Sequence, residues 1–277
     1  MKEFKLKYRS LAKQAFERAK SELSTENHDR LKYAVLELRM ALEGLVYQKA
    51  TNYTEELCGK KLNTWQPSKL LEILLDIDPL ADQTYTLRVK PENENAEKEQ
   101  EFTEIGTEKV INLKEIKANY HKLGSFLHMP TIEQIEGGKG PTPKKIIKGC
   151  NKTIEILEQV FASTVYNSNL RVRATTDCIE CGEKVVRRIP PIGENIIANC
   201  INCSASYDIV PLEQKQVQWL PKTTKLTCAN PSCDEEVELW ENDVKVGLYW
   251  ICPSCEGKNN IVPGISFKPK EEIEAQN

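Results

Sequence analysis

The chain has little of what enzymes commonly use for chemistry. Only three histidines occur in 277 residues, too few for a histidine-based metal site. No glycine-rich loop runs into Lys-Ser or Lys-Thr, and neither G-x-S-x-G nor H-E-x-x-H occurs. That removes the phosphate cradle of nucleotide hydrolases, the nucleophile elbow and the zinc-protease helix. Gly137-Gly138-Lys139-Gly140 has no strand before it and reads as a linker. Long apolar runs are missing too: no stretch approaches the roughly 18 residues of a membrane span. The opening Met-Lys-Glu-Phe-Lys-Leu-Lys lacks the apolar centre of a secretory signal. The expectation is a cytoplasmic protein with no membrane partner. A net charge of -3 offers no global attraction to nucleic acid.

What the chain does have is ordered cysteine. Eight of its ten cysteines form two quartets: Cys178, Cys181, Cys200 and Cys203, then Cys228, Cys233, Cys252 and Cys255. In each, 18 residues separate a first pair from a C-x-x-C. This is the spacing of a four-thiolate structural zinc site, here in tandem. Disulfides would suit a secreted chain, but C-x-x-C pairs without a signal favour metal in a reducing compartment. A unit of about 30 residues cannot bury enough apolar surface to fold alone. A structural zinc replaces the missing core, contributing on the order of 10–16 kcal/mol in small zinc peptides. Gly182, directly after Cys181, suits the tight turn. Four thiolates fill a tetrahedral site, so two structural zincs per chain, neither catalytic, are expected. Cys58 and Cys150 stand alone and read as ordinary thiols.

Ahead of the quartets the periodicity is helical. Tyr8, Leu11, Ala12, Ala15, Phe16, Ala19 and Leu23 make one apolar face, and Ser24 and Thr25 can cap the next helix. Leu31, Ala34, Val35, Leu38, Ala41, Leu42, Leu45 and Val46 form a core stripe that Leu36 and Met40 widen, which predicts a central helix. Pro67 opens a short helix. Thr84 to Val89 and Phe102 to Val110 read as a hairpin around the acidic run Pro91–Glu101. Helices resume at Leu113 to about His128 and from Ile146 to Val165. After Leu170 only short alternating segments remain. The fold class is therefore α+β: an N-terminal helical bundle with an inserted β-hairpin, followed by two small all-β units. The expected divisions are 1–169, 170–215, 216–264 and a charged tail, 265–277.

Each cysteine unit resembles the zinc-ribbon family. The first carries Arg171, Arg173, Lys184, Arg187 and Arg188, with Lys215, Lys222 and Lys225 following, a candidate surface for nucleic-acid phosphates. The second carries Asp234, Glu235, Glu236, Glu238, Glu241 and Asp243, which oppose phosphate and suit a protein partner. Trp219, Trp240, Tyr249 and Trp250 read either as stacking groups or as thin β cores.

Two helical stretches, Glu37-Leu38-Arg39-Met40-Ala41-Leu42-Glu43 and Tyr120-His121-Lys122-Leu123-Gly124-Ser125-Phe126-Leu127-His128, resemble HEPN-type domains. Those domains occur in prokaryotic defence and toxin systems, where a dimer joins two sites, each an arginine followed at a short interval by a histidine, to cut RNA. No arginine precedes His121 or His128 at that interval, and Lys122, six residues before His128, is the nearest cation. Arg39 and Glu43, four apart, can pair on one helix. Two functions follow. One is a non-enzymatic zinc protein that meets a protein partner or a second copy through its bundle, and nucleic acid at the basic first ribbon. The other is a HEPN-like ribonuclease or toxin using His121, Lys122 and His128.

Overall fold

The computed structural model describes residues 2–25, 27–57, 64–89, 102–167, 172–189, 196–212 and 216–264. Cys58, Arg171, Lys215, the acidic run Pro91–Glu101 and the tail from 265 lie outside them. The chain divides into two units: residues 1–173 with Arg187–Pro191, and residues 174–186 with 192–277.

The first unit is helical, with helices α1 (Lys2–Leu23), α2 (Leu31–Ala50), α3 (Pro67–Ile77), α4 (Leu113–Leu127), α5 (Ile132–Glu136) and α6 (Pro143–Phe161). Helix α2 is central and packs against α1, α3, α4 and α6. Its buried face includes Leu31, Ala34, Val35, Leu38, Ala41, Leu42 and Val46, as the periodicity predicts. A Cβ at Gly44 would come 2.9 Å from Ala12 Cβ, so glycine lets α1 and α2 approach closely. Two expectations change. Leu36 and Met40 are each 46 % exposed, so the apolar character of α2 extends onto its solvent face instead of widening the core. Ser24 and Thr25 bond back to the carbonyls of Ser21 and Glu22, and Asn27 caps the following turn at Asp29 N–H. Reciprocal side-chain caps start α4 (Asn112 with Glu115) and α5 (Thr131 with Gln134). Pro143 in the first turn and Thr142 at the cap start α6, which ends at Phe161, short of Val165. Strands β1 (Tyr85–Val89) and β2 (Thr103–Glu108) form the inserted antiparallel hairpin.

The remaining strands are short. They are β3 (Arg173–Asp177), β4 (Lys184–Arg188), β5 (Ile196–Asn199), β6 (Ser206–Pro211), β7 (Val217–Pro221), β8 (Thr223–Thr227), β9 (Glu236–Trp240), β10 (Tyr249–Ile251) and β11 (Lys258–Asn260). They pair as β3–β4, β5–β6–β7, β8–β9 and β10–β11. Strand β7 hydrogen-bonds antiparallel to β6, with Ile209 opposite Trp219, so it is the third strand of the first ribbon's sheet. Strands β7 and β8 are not apparent in the sequence, where Gln, Thr and Lys break the apolar alternation.

Candidate metal centres

Each quartet sits on two turns held by backbone hydrogen bonds. In the first, Gly182 N donates to Cys178 O at 2.8 Å and Ser204 N to Cys200 O at 2.9 Å. In the second, Cys233 N donates to Asn230 O at 2.9 Å and Glu256 N to Cys252 O at 3.0 Å. Three of these turns are C-x-x-C, and in each the residue after the second cysteine has a positive φ: Gly182 at +73°, Ser204 at +66° and Glu256 at +56°. Glycine adopts this conformation without strain, whereas serine and glutamate do so at a cost. The fourth turn, Cys228-Ala-Asn-Pro-Ser-Cys233, is two residues longer, and Asn230 Oδ1 braces it by accepting from Ser232 N at 3.1 Å.

All eight predicted ligands are brought together, four and four. Within each quartet the sulfurs lie within 4.8 Å of one another. Cys178 and Cys203, and Cys181 and Cys200, are 3.6 Å apart; Cys228 and Cys255 are 3.6 Å and Cys233 and Cys252 3.8 Å apart. A tetrahedron with metal–sulfur bonds of about 2.3 Å has edges of about 3.8 Å, so both sets of thiolates fit one ion each. In every pair one cysteine is buried and the other half-buried. Burial raises the Cys178 thiol, but bonds from the Tyr207 hydroxyl and the N–H groups of Cys181 and Glu180 outweigh it and bring the group down to about 6. The Gly257 N–H and the Asn230 side chain likewise bring Cys255 down to about 6. In each quartet one thiol is therefore favoured as the first thiolate, whereas burial and the neighbouring sulfurs raise Cys200 and Cys203 in the first and Cys233 in the second. Cys150 is the opposite case, fully buried and pushed up to about 12, an inert core thiol.

The groups that brace the ligands are not picked out by the cysteine spacing. Tyr207 Oη donates to Cys178 Sγ at 3.2 Å while accepting from Ile179 N at 3.1 Å. Asn259 Nδ2 points at Cys228 Sγ, 3.6 Å away, while its Oδ1 accepts from Ala229 N at 2.7 Å. These two residues are equivalent. Each stands four residues after the last cysteine of its quartet and serves the first one. Aligning the two units on their last cysteines exposes the match, although tyrosine and asparagine share no obvious likeness. Such outer partners orient ligands and tune their basicity.

Tyr207 is buried, and two half-buried tryptophans pack on it. Trp219 meets Tyr207 edge-on at 5.9 Å between centroids, and Trp240 tilts against it at 5.5 Å. The basic set of that ribbon is largely engaged. Arg188 is 2 % exposed and Arg187 8 %. Arg173 pairs with Glu55 at 3.0 Å, Lys222 with Glu241 at 3.5 Å and Lys225 with Glu236 at 3.9 Å. Among the described residues of the set, only Lys184 is exposed and has no ion-pair partner.

The helical candidates are more dispersed. His121 lines an open groove with Asp82, Thr84, Leu113, Lys114 and Lys117. Lys122 Nζ lies 5.0 Å from the Phe126 ring centroid. Helix α4 stops at Leu127 and His128 is its extended C-cap, so the two histidines do not share a helical face. The two stretches carrying the HEPN-like pattern nevertheless meet. The Arg39 guanidinium stacks 3.9 Å over the Tyr120 ring, and Tyr120 Oη donates to Glu43 Oε1 at 2.6 Å. A Cβ at Gly124 would collide with Arg39 Nη1.

No family model, no curated protein and no solved structure matches the chain.

Proposed function

We propose that the protein is a non-enzymatic interaction protein whose quartets each hold a structural zinc and whose free surfaces meet protein. One observation carries this reading: the two clusters are closed by four thiolates each, so they supply architecture and leave no open position for a substrate. The engagement of Arg173, Arg187 and Arg188 favours protein over nucleic acid as the partner. The second ribbon supports the same choice. Tyr249 and Ile251, alternate residues on one face of β10, are 59 % and 55 % exposed. Val246 and Val262 are exposed as well, and β9 carries Glu236 and Glu238. Metal analysis of the purified chain should give two zincs, and a Tyr249→Glu/Ile251→Glu variant should lose proteins that the native chain retains in a pull-down. Binding of RNA or DNA at physiological salt, unchanged by that variant, would overturn the choice of partner.

A second copy is the partner we assign to the bundle. Tyr33, Leu36 and Met40 recur at three and four along the exposed face of α2. Two antiparallel copies of α2 related by a two-fold axis would set Leu36 against Met40 of the second copy. Such self-complementarity is what an isologous dimer requires. Light scattering should report a dimer that Leu36→Glu converts to a monomer.

One observation favours a second reading, a HEPN-like ribonuclease acting in a defence or toxin system. The cation missing from α4 is delivered there by α2, as Arg39 over Tyr120 beside Glu43. Under that reading, expressed native chain degrades cellular RNA, and Arg39→Ala and His128→Ala abolish the effect. Equal RNA integrity in all three strains removes it.

A further inference from the structure

The turn of the first metal site belongs to a hairpin whose open end is part of the helical unit. Strands β3 and β4 pair with each other, and Cys178 and Cys181 lie in the turn between them. The opposite end carries Arg173, Arg187 and Arg188, which belong with residues up to Pro191 to the first unit. Ile189 N donates to Val172 O at 2.9 Å and closes that end.

The arginines at this end are deeply seated. Arg188 Nη2 donates to Glu56 Oε1 at 2.5 Å and to Asn52 O at 2.9 Å, and its guanidinium lies 4.0 Å from the Tyr53 ring centroid. Arg173 reaches the same carboxylate at 3.5 Å. Arg187 Nη1 donates to Leu75 O at 2.6 Å. Yet the seat is incomplete. Arg188 Nε and Nη1 and Arg187 Nε are buried with no acceptor.

Energetics then decide what holds the strand in place. Burying an ion pair costs desolvation that its attraction often fails to recover. Each buried donor without a partner costs a further penalty, which makes two arginines with orphaned donors a weak anchor for a free segment. Ordering a free strand costs conformational entropy at every residue. Presented by a hairpin already closed at its turn, the same segment seats without that ordering cost. Metal at the first quartet would tie that turn, through Cys178 and Cys181, to the turn that carries Cys200 and Cys203.

We infer that metal at the first quartet controls whether the Arg187–Arg188 segment seats in the helical unit, so that this unit responds to the first metal and not to the second. This rests on the reading of the first quartet as a metal site. Loss of the first metal frees β4 and leaves Glu56 buried without its partner. The turn Asn52–Leu57 then opens. Linkage makes the coupling reciprocal: weakening the seat must loosen the first metal.

The test uses the full chain, native and variant, each supplied with zinc enough to load every intact site. A Cys178→Ser/Cys181→Ser variant should exchange the backbone amides of Glu56 and Leu57 at least ~10-fold faster than the native chain, within the usual range of such couplings. A Cys252→Ser/Cys255→Ser variant should leave them unchanged. Equal exchange in all three proteins, or equal opening in both variants, overturns the inference. The reciprocal arm is Glu56→Gln, read by metal release to a chromophoric chelator. One of the two equivalents should leave about ten times faster; identical release from native chain and variant also overturns it. Metal analysis beforehand separates the two claims. A native chain with no metal at the first quartet fails the zinc reading itself, whereas a loaded chain whose bundle ignores the metal fails only the coupling.

Discussion

The two ribbons share a frame and differ in nearly everything around it. Both place four sulfurs within one coordination sphere, and both brace the first cysteine from the position four residues after the last. The first braces with a tyrosine clasped between Trp219 and Trp240, and its hairpin ends in buried arginines. The second braces with an asparagine and turns Tyr249, Ile251 and Val262 to solvent. The difference shows how a metal frees sequence. Where a metal bound by four thiolates supplies the folding energy, the strands between them need not build a core, and each copy's surface is open to a separate task.

The comparison breaks most sharply at the ligands. Cys200→Ser should halve the zinc content and unfold the first ribbon, and Cys252→Ser should do the same to the second. The two should show distinct losses of amide dispersion by NMR, because the binding at stake is on the order of 10 kcal/mol. A single common pattern of loss for both variants would show that the ribbons do not fold independently. Next comes the buried pair that only the first hairpin has. Glu56→Ala should cost about 3–5 kcal/mol in urea unfolding of the helical unit, since it strands Arg188, while Glu56→Leu with Arg188→Met should recover most of that. A double variant no better than the single one would mean that packing, not charge, sets the loss.

The bracing residues test the shared frame. Tyr207→Phe and Asn259→Leu should each weaken zinc at their own site by about 10–100-fold in chelator competition, the usual effect of removing an outer partner. The smallest effect concerns the positive-φ turns. Glu256→Gly should stabilise the second ribbon by up to about 1 kcal/mol, and Gly182→Ala should destabilise the first by a similar amount, both read as shifts in thermal midpoint. A neutral Glu256→Gly would show that the glutamate side chain compensates the strain.

The legible parts of this molecule were those where one residue type has one use. Eight cysteines at metal spacing and the stripe of α2 announced themselves. Little besides a metal site sets thiols at that spacing, and little besides an amphipathic helix repeats apolar residues at that period. Arg187 and Arg188 were read as a phosphate-facing surface, since a basic dipeptide on a strand reads as exposed until the fold supplies Glu56. Leu36 and Met40 misled for the mirror reason: an apolar side chain at helical spacing points inward only if a neighbouring element covers it. Strands β7 and β8 were hidden because each has little pattern of its own and owes its place to pairing, β7 with β6 and β8 with β9. Tyr207 and Asn259 were hidden because one position in the repeat is filled by two unlike hydrogen-bond donors.

Every described sheet has only two or three strands, so each leaves backbone donors and acceptors unpaired along both margins. Such margins invite other chains to add to them, and short length, lysine and proline are the common safeguards. Here β10 and β11 are three residues long, Lys258 sits beside the Tyr249 ring, and Pro211 and Pro221 end β6 and β7. Under the zinc reading, those safeguards hold only while the metals keep the strands short and apart. On that reading, a chain stripped of zinc carries Tyr249, Trp250 and Ile251 on a loose segment, and its colloidal behaviour should follow its metal supply: clear when loaded, and clouding with rising concentration when chelated.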